Sequence, residues 1–218
     1  MLYGIFGAGG FGREAIWLAQ ETCLTTHCSG KDFELCFIEH EPKTAQQNGF
    51  RVLSLREFAS IRGTERRFNV LVANPAVRER IVAECEALGL RPFTIRSRLA
   101  EVHPTAQIGE GAVLCQFTLV SANAKVGRFF HLNHHGYVSH DCVVGDFVTF
   151  APAVRCNGTI QIDDSAYIGS GAVIHQGTPA RQMRIGAKAV VGMGSVVLRS
   201  VAAGVTVAGN PARILRAS

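Results

Sequence analysis

Residues 106–177 divide, in a single phase, into twelve sixes: AQIGEG, AVLCQF, TLVSAN, AKVGRF, FHLNHH, GYVSHD, CVVGDF, VTFAPA, VRCNGT, IQIDDS, AYIGSG and AVIHQG. The third place of each six holds Ile108, Leu114, Val120, Val126, Leu132, Val138, Val144, Phe150, Cys156, Ile162, Ile168 and Ile174, all apolar. In a chain that is 47% apolar, one chosen phase does this by chance roughly once in ten thousand times, so the period is a repeat. A unit this short cannot bury an apolar face alone and must stack on its neighbours. The pattern predicts a prism of parallel β-coils with the third-place side chains along its axis. The small first-place residues Ala106, Ala112, Thr118, Ala124, Gly136, Ala166 and Ala172 sit beside them. Gly109, Gly127, Gly145 and Gly169 follow the apolar place, as corners with unusual φ/ψ would favour. If each turn takes three sixes, residues 18 apart stack, and Gly158 lies over His140.

The remaining composition narrows the setting. The 218 residues suffice for one large or two small domains. No apolar run reaches the ~18 residues that span a bilayer, so no membrane insertion is expected. The start MLYGIFGAGGFGREA has no basic leader followed by a long apolar region, unlike a secretory signal. Seven cysteines (Cys23, Cys28, Cys36, Cys85, Cys115, Cys142, Cys156) form no CxxC pair. An odd, scattered set suits reduced thiols and a cytoplasmic protein, several of them as buried filler. The net charge is +5, but the basic residues are dispersed apart from a cluster at residues 62–67, with no nucleic-acid motif beside it. The modest positive balance fits a small anionic ligand at least as well as nucleic acid, and no nucleic-acid partner is expected.

Ahead of the repeat, residues 2–6 read as a buried strand, residues 13–23 as a helix and residues 35–38 as a second strand ending in Glu39-His40. Residues 41–50 read as a loop, residues 51–55 as a short strand, residues 69–73 as another strand, and residues 75–88 as a helix stopped by Gly89. Such alternation predicts a small parallel α/β, Rossmann-like domain over residues 1–98, followed by the β-helix over residues 99–218. The sixes break after Gly177 and resume at Ile185, which marks residues 178–184 as an inserted loop carrying Arg181 and Arg184.

Two constellations carry chemistry. Gly7, Gly9 and Gly12 match GxGxxG between a strand and a helix, where glycine lets the backbone approach a phosphate. Glu39 stands where an acidic residue commonly holds a ribose hydroxyl. The domain is small for a dinucleotide, so a nucleotide-linked substrate is the better expectation. In the repeat, His131, His134, His135 and His140 fall within ten residues. His140-Asp141 is the pair expected to act, an imidazole base with a carboxylate to fix its tautomer. Adjacent side chains oppose each other on a strand, but at a corner that alternation fails. The other three read as solvated or interface histidines. A zinc reading would join His135 and His140 to His103, as in prism enzymes of the γ-carbonic anhydrase kind. It leaves the glycine-loop domain without purpose, so no metal is expected.

With GAGGFGRE at the start, unbroken sixes, Asn133 seven residues before His140-Asp141, Arg155-Cys156-Asn157-Gly158, and a closing Gly-Asn-Pro-Ala-Arg, the chain resembles the NeuD/PglD-like sugar acetyltransferases. These belong to the hexapeptide-repeat, left-handed β-helix acyltransferases. The resemblance covers nearly the whole chain. It implies a homotrimer with active sites between adjacent prisms and acetyl-CoA as co-substrate. It implies that His140 is the general base and Asp141 its partner, and that Asn133 touches the sugar. It places Gly158, Ser170, Gly192, Met193 and the closing Gly209, Asn210 and Pro211 along the acetyl-CoA groove. It places Gly9, Gly10, Phe11, Glu39, His40 and Asn74 around the nucleotide. The best-known amino-sugar members carry histidine where Phe11 stands, paired aspartates where Glu39-His40 stand, and often histidine where Thr149 stands. The implied activity is N-acetylation of a nucleotide-linked amino-deoxy sugar for surface polysaccharide or glycan synthesis. O-acetylation of a sialic-acid-like acceptor and a non-catalytic scaffold are the alternatives besides zinc.

Overall fold

A computed structural model describes residues 1–27 and 32–215. Cys28 lies outside the described residues. The chain divides into two compact units, Met1–Ser97 and Arg98–Ser218.

The first unit is a six-stranded sheet. Its strands are β1 (Leu2–Phe6), β2 (Glu34–Glu39), β3 (Gln46–Gln47), β4 (Phe50–Ser54), β5 (Arg66–Val70) and β6 (Arg91–Pro92), in the order 3-4-2-1-5-6. Only β3 runs antiparallel to its neighbour. β1 is buried at every residue, as a central parallel strand covered on both faces should be. Among the described residues, three α-helices lie in the unit: α1 (Gly10–Thr22), α2 (Leu55–Ser60) and α3 (Pro75–Ala87). Helix α2 packs so closely that a Cβ on Gly4 of β1 would lie 2.8 Å from the Phe58 ring.

The boundaries depart from the expected ones for local reasons. Leu55 opens α2 instead of ending a strand. Ser54 is its N-cap and forms a reciprocal capping box with Glu57, a signal present in the sequence as Ser-x-x-Glu. The strand expected at residues 69–73 is Arg66–Val70. Leu71 still donates to the Phe6 carbonyl, but the chain then leaves the sheet because Asn74 caps α3 and Pro75 occupies its first turn. Helix α1 starts three residues early, with Gly9 as N-cap, and runs into a π-helical turn at Cys23–His27.

The second unit is a three-sided parallel β-helix. The first face stacks Val113–Leu114, His131–Leu132, Thr149–Phe150, Tyr167–Ile168 and Val190–Val191. The second stacks Leu119–Val120, Tyr137–Val138, Arg155–Cys156, Val173–Ile174 and Val196–Val197. The third stacks Gln107–Ile108, Lys125–Val126, Val143–Val144, Ile160–Ile162 and Met183–Ile185. Pairs such as Leu132 with Phe150 and Val138 with Cys156 show the 18-residue coil directly. Every third-place residue except Ile108 is buried, Phe150 and Ile168 completely.

The left-handed corners are not at the fourth-place glycines. They fall at the sixth place, where Phe117, Asn123, Phe129, His135, Asp141, Phe147, Ala153, Thr159 and Ser165 all have φ between 49° and 60°. Glycine in the fourth place answers to stacking. A Cβ on Gly169 would lie 2.6 Å from the Met193 nitrogen, and one on Gly109 would run into the Gly127 backbone of the next coil. Position 183 also differs from expectation. Met183 and Arg184 belong to a strand, with Ile160 opposite Met183 and Ile162 opposite Ile185, so the insertion is residues 178–182. Arg184 is held by Asp163 at 2.8 Å.

Candidate active site

His140 and Asp141 end a six on the second face and turn the corner toward the third. Asp141 has φ 57°, so the strand alternation that would separate the two side chains is lost. His140 Nδ1 lies 2.9 Å from Asp141 Oδ2. The other carboxylate oxygen accepts from Asn123 Nδ2 at 3.0 Å, one coil below. These bonds, His140 first and Asn123 second, hold the Asp141 carboxyl below its ordinary pKa. Above the pair, Thr159 N donates to the His140 carbonyl at 3.0 Å. A Cβ on Gly158 would lie 2.5 Å from both Cε1 and Nε2 of His140, so the ring packs directly against glycine backbone. The preceding residue is locked: Asn157 accepts from the Tyr137 hydroxyl at 2.8 Å and donates to the Ile174 carbonyl at 2.8 Å. About half of each side chain, 57% for His140 and 51% for Asp141, stays accessible. The arrangement is a solvent-reachable imidazole with a fixed carboxylate behind it.

A second group gathers on the corner between the first and second faces. Asn133 sits there, donating from its backbone to Phe150 O, with its side-chain oxygen accepting from His134 N at 2.8 Å. Higher on the same corner are Ser170, Gly192 and Met193, where Gly194 N donates to Ser170 O at 2.8 Å. Met193 is 80% exposed. Above them the chain turns at Gly209, Asn210 and Pro211, the last two joined by a cis bond. Gly158, by contrast, shares its corner with His140. The residues expected around acetyl-CoA and sugar therefore divide between two corners of one prism, a whole face apart.

Three other histidines lie apart from this pair. His131 is buried, not solvated, and its ladder neighbours are Val113 and Thr149. Thr149 is itself buried. The His135 ring stacks on Phe117 with centroids 5.0 Å apart, and His103 Nδ1 meets Thr105 Oγ1 at 3.0 Å. Among the described residues no group of three His, Cys, Asp or Glu side chains could hold a metal ion.

In the first unit, the glycine loop is tight on one side and open on the other. A Cβ on Gly12 would collide with the Gly7 carbonyl, and Gly7 itself has φ 106°. Gly9 and Gly10 face open space, with no atom within 4 Å of an added Cβ. Phe11 lies in the first turn of α1 behind them. Glu39 Oε1 accepts from Ala8 N at 3.0 Å and ties β2 to this loop. His40 packs edge-on to Phe6 and meets Glu84 at 2.6 Å. It also borders a cleft of ≈ 700 Å³ with Ser54, Leu55, Arg56, Ala59, Ser60 and Leu88. The Asn74 side-chain oxygen accepts from Val77 N as the N-cap of α3.

Asn123 and Tyr137 were not singled out from the sequence. The 18-residue coil was the available signal, since it places Asn123 directly beneath Asp141.

No family model matches the chain. Over 217 residues it is 46% identical to GDP-perosamine N-acetyltransferase of Escherichia coli O157:H7, covering 100% of this chain and 97% of that protein. The solved structure of WeeI from Acinetobacter baumannii AYE matches it with a TM-score of 0.92 at 44% identity, over 99% of this chain and 100% of the other. The chain belongs to the hexapeptide-repeat sugar acetyltransferases. A further solved structure, the acetyltransferase domain of PglB from Neisseria gonorrhoeae FA1090 in complex with acetyl coenzyme A, matches over 98% of both chains. Its TM-score is 0.86 and its identity 29%. The prism of this sugar acetyltransferase is thus the left-handed β-helix of its relatives. Among the described residues no helix is long and apolar enough to cross a membrane.

Proposed function

We propose that the protein transfers acetyl from acetyl-CoA to the amino group of a GDP-linked amino-deoxy sugar of the perosamine kind. The observation that carries this reading is the 46% identity, over nearly the full length of both chains, to a GDP-perosamine N-acetyltransferase. The first unit is the Rossmann-like domain that takes the nucleotide. Gly9 and Gly10 leave room for a diphosphate at the start of α1, where helix N–H groups favour negative charge. Glu39, His40, Phe11 and Asn74 border that region.

In the reaction the sugar amine attacks the thioester carbonyl directly, and the new C–N bond forms as its proton passes to His140 Nε2. The tetrahedral adduct collapses, the C–S bond breaks, and the CoA thiolate leaves and takes up a proton. Asp141 holds Nδ1 protonated, which leaves Nε2 as the lone pair that accepts. Fixing amine, thioester and base on a rigid prism supplies the entropic share of the barrier.

The division of the site between two corners supports a homotrimer. Successive corners are one strand-length apart, roughly 15–20 Å at about 3.3 Å per residue. Asn133, Ser170, Gly192, Met193 and Gly209–Pro211 on one corner therefore meet His140 and Gly158 of a second copy, not of their own. The setting is cytoplasmic and the product a precursor for surface polysaccharide.

The test is CoA release from acetyl-CoA with GDP-, UDP-, dTDP- and CMP-linked amino sugars. The highest kcat/KM is expected with GDP-perosamine. A better UDP- or dTDP-linked acceptor sinks the GDP assignment, and no release with any of them sinks the N-acetyltransferase reading.

A further inference from the structure

We propose that Asn123 is a positioning residue for acetyl transfer, acting through Asp141 on His140; this rests on the reading of His140 as the general base. Asn123 occupies the sixth place one coil below Asp141, in the corner column Thr105, Asn123, Asp141, Thr159. Its own backbone is pinned from beneath, since Asn123 N donates to Thr105 Oγ1 at 2.9 Å. Its side-chain amide donates to Asp141 Oδ1 at 3.0 Å while His140 Nδ1 meets Oδ2 at 2.9 Å. Each carboxylate oxygen therefore has its own partner. Rotating the carboxylate about its Cβ–Cγ bond breaks both contacts at once. With the His140 bond alone, an acid that is half exposed would swing freely, and the imidazole tautomer and direction would swing with it.

The backbone at Asn123 has φ 58°, and asparagine tolerates that region better than most residues. That conformation explains a small or polar residue at the corner. It does not require an amide nitrogen aimed at the carboxylate of the next coil. Glycine separates the two roles, because it accepts the corner and lacks the donor.

The experiment compares Asn123→Gly in the wild-type and Asp141→Asn backgrounds, with His140→Ala as a control. In the wild-type background we expect kcat to fall about tenfold, the usual lower range for removing an outer-shell partner, with KM for both substrates held within about twofold. In the Asp141→Asn background the same substitution is expected to change kcat by less than about twofold, because the two residues act as one unit. A carbon-13 titration of the Asp141 carboxyl should move toward the ordinary carboxylate range in Asn123→Gly, a readout that a purely architectural asparagine would not affect. Wild-type kcat in Asn123→Gly, an equal loss in both backgrounds, or an unmoved Asp141 titration would each overturn the proposal. Full turnover in His140→Ala would instead overturn the underlying assignment of the base.

Discussion

The imidazole of His140 lies 2.9 Å from the carboxylate of Asp141, its immediate neighbour in the chain. On a strand these side chains would point to opposite faces; the φ of 57° at Asp141 brings them together. The contact is made by the corner, and every coil has such a corner. What distinguishes this one is glycine above it, at Gly158, and an amide donor below it, at Asn123.

Replacing His140 by alanine should lower kcat by ~10²–10⁴, the share of a well-placed general base. The fold should be unaffected, because the side chain is half exposed and fills no core. Initial rates with saturating acetyl-CoA measure this, and near-normal turnover would rule the base out.

Asp141→Asn keeps the shape of the corner and changes its chemistry. An amide in place of the carboxylate donates to Nδ1 and leaves the proton on Nε2, the wrong tautomer for a base. A loss of ~10²–10⁴ in kcat is expected, the scale of losing a tautomer-fixing acid in other His-Asp pairs. The pH dependence has a definite sign. Asp141 is held below its ordinary pKa, first by His140 and then by Asn123. Its orienting role is therefore intact through the ordinary carboxylate range and is lost only as pH falls through the lowered value. Rate profiles of wild type and Asp141→Asn should keep a constant ratio through that range and converge only below it.

Gly158→Ala tests the packing above the base. Its new Cβ would lie 2.5 Å from Cε1 and Nε2, so the ring must turn away. Displacing a reacting group by about 1 Å costs on the order of 10²-fold in rate, and kcat should fall accordingly while KM for acetyl-CoA changes less. Unchanged kcat in a folded variant would show that Nε2 acts from another rotamer.

The glycine loop offers a contrast between two neighbours. Gly12→Ala drives a methyl into the Gly7 carbonyl and should lower the thermal midpoint. Gly9→Ala meets nothing and should leave stability alone while raising KM for the nucleotide sugar. Equal KM for wild type and Gly9→Ala would remove the diphosphate from this loop.

The axis of the prism was legible because its period is strict: Ile108 to Ile174 repeat every six, and the structure buries all of them but the first. The His140-Asp141 contact was legible in outline, since the corner was inferred from the same period. The corner's place within the six was not. Glycine suits both a left-handed φ and a close approach, and Gly109 and Gly127 serve the second need. Helix α2 was hidden for a different reason. Leu55 and Phe58 give too short an apolar pattern to outweigh the strand beside it, although the Ser54–Glu57 capping box marks its start. Asn74 shows the limit on roles: the resemblance aims it at a nucleotide, and the structure also gives it a helix to cap.

The insertion at residues 178–182 has a consequence for how such an enzyme can change. Met183 returns opposite Ile160 with its face unaltered, so the five extra residues leave the next two strands, Val190–Val191 and Val196–Val197, on their own faces. Length added at a corner bulges outward; length added within a face would turn Ser170, Gly192 and Gly209 out of their shared column. Reach along the prism thus varies only in whole coils, each about 4.8 Å. A lineage adapting this frame to a longer or shorter donor would do so by gaining or losing a complete turn, and by trimming loops at the corners, never by a single residue in a strand.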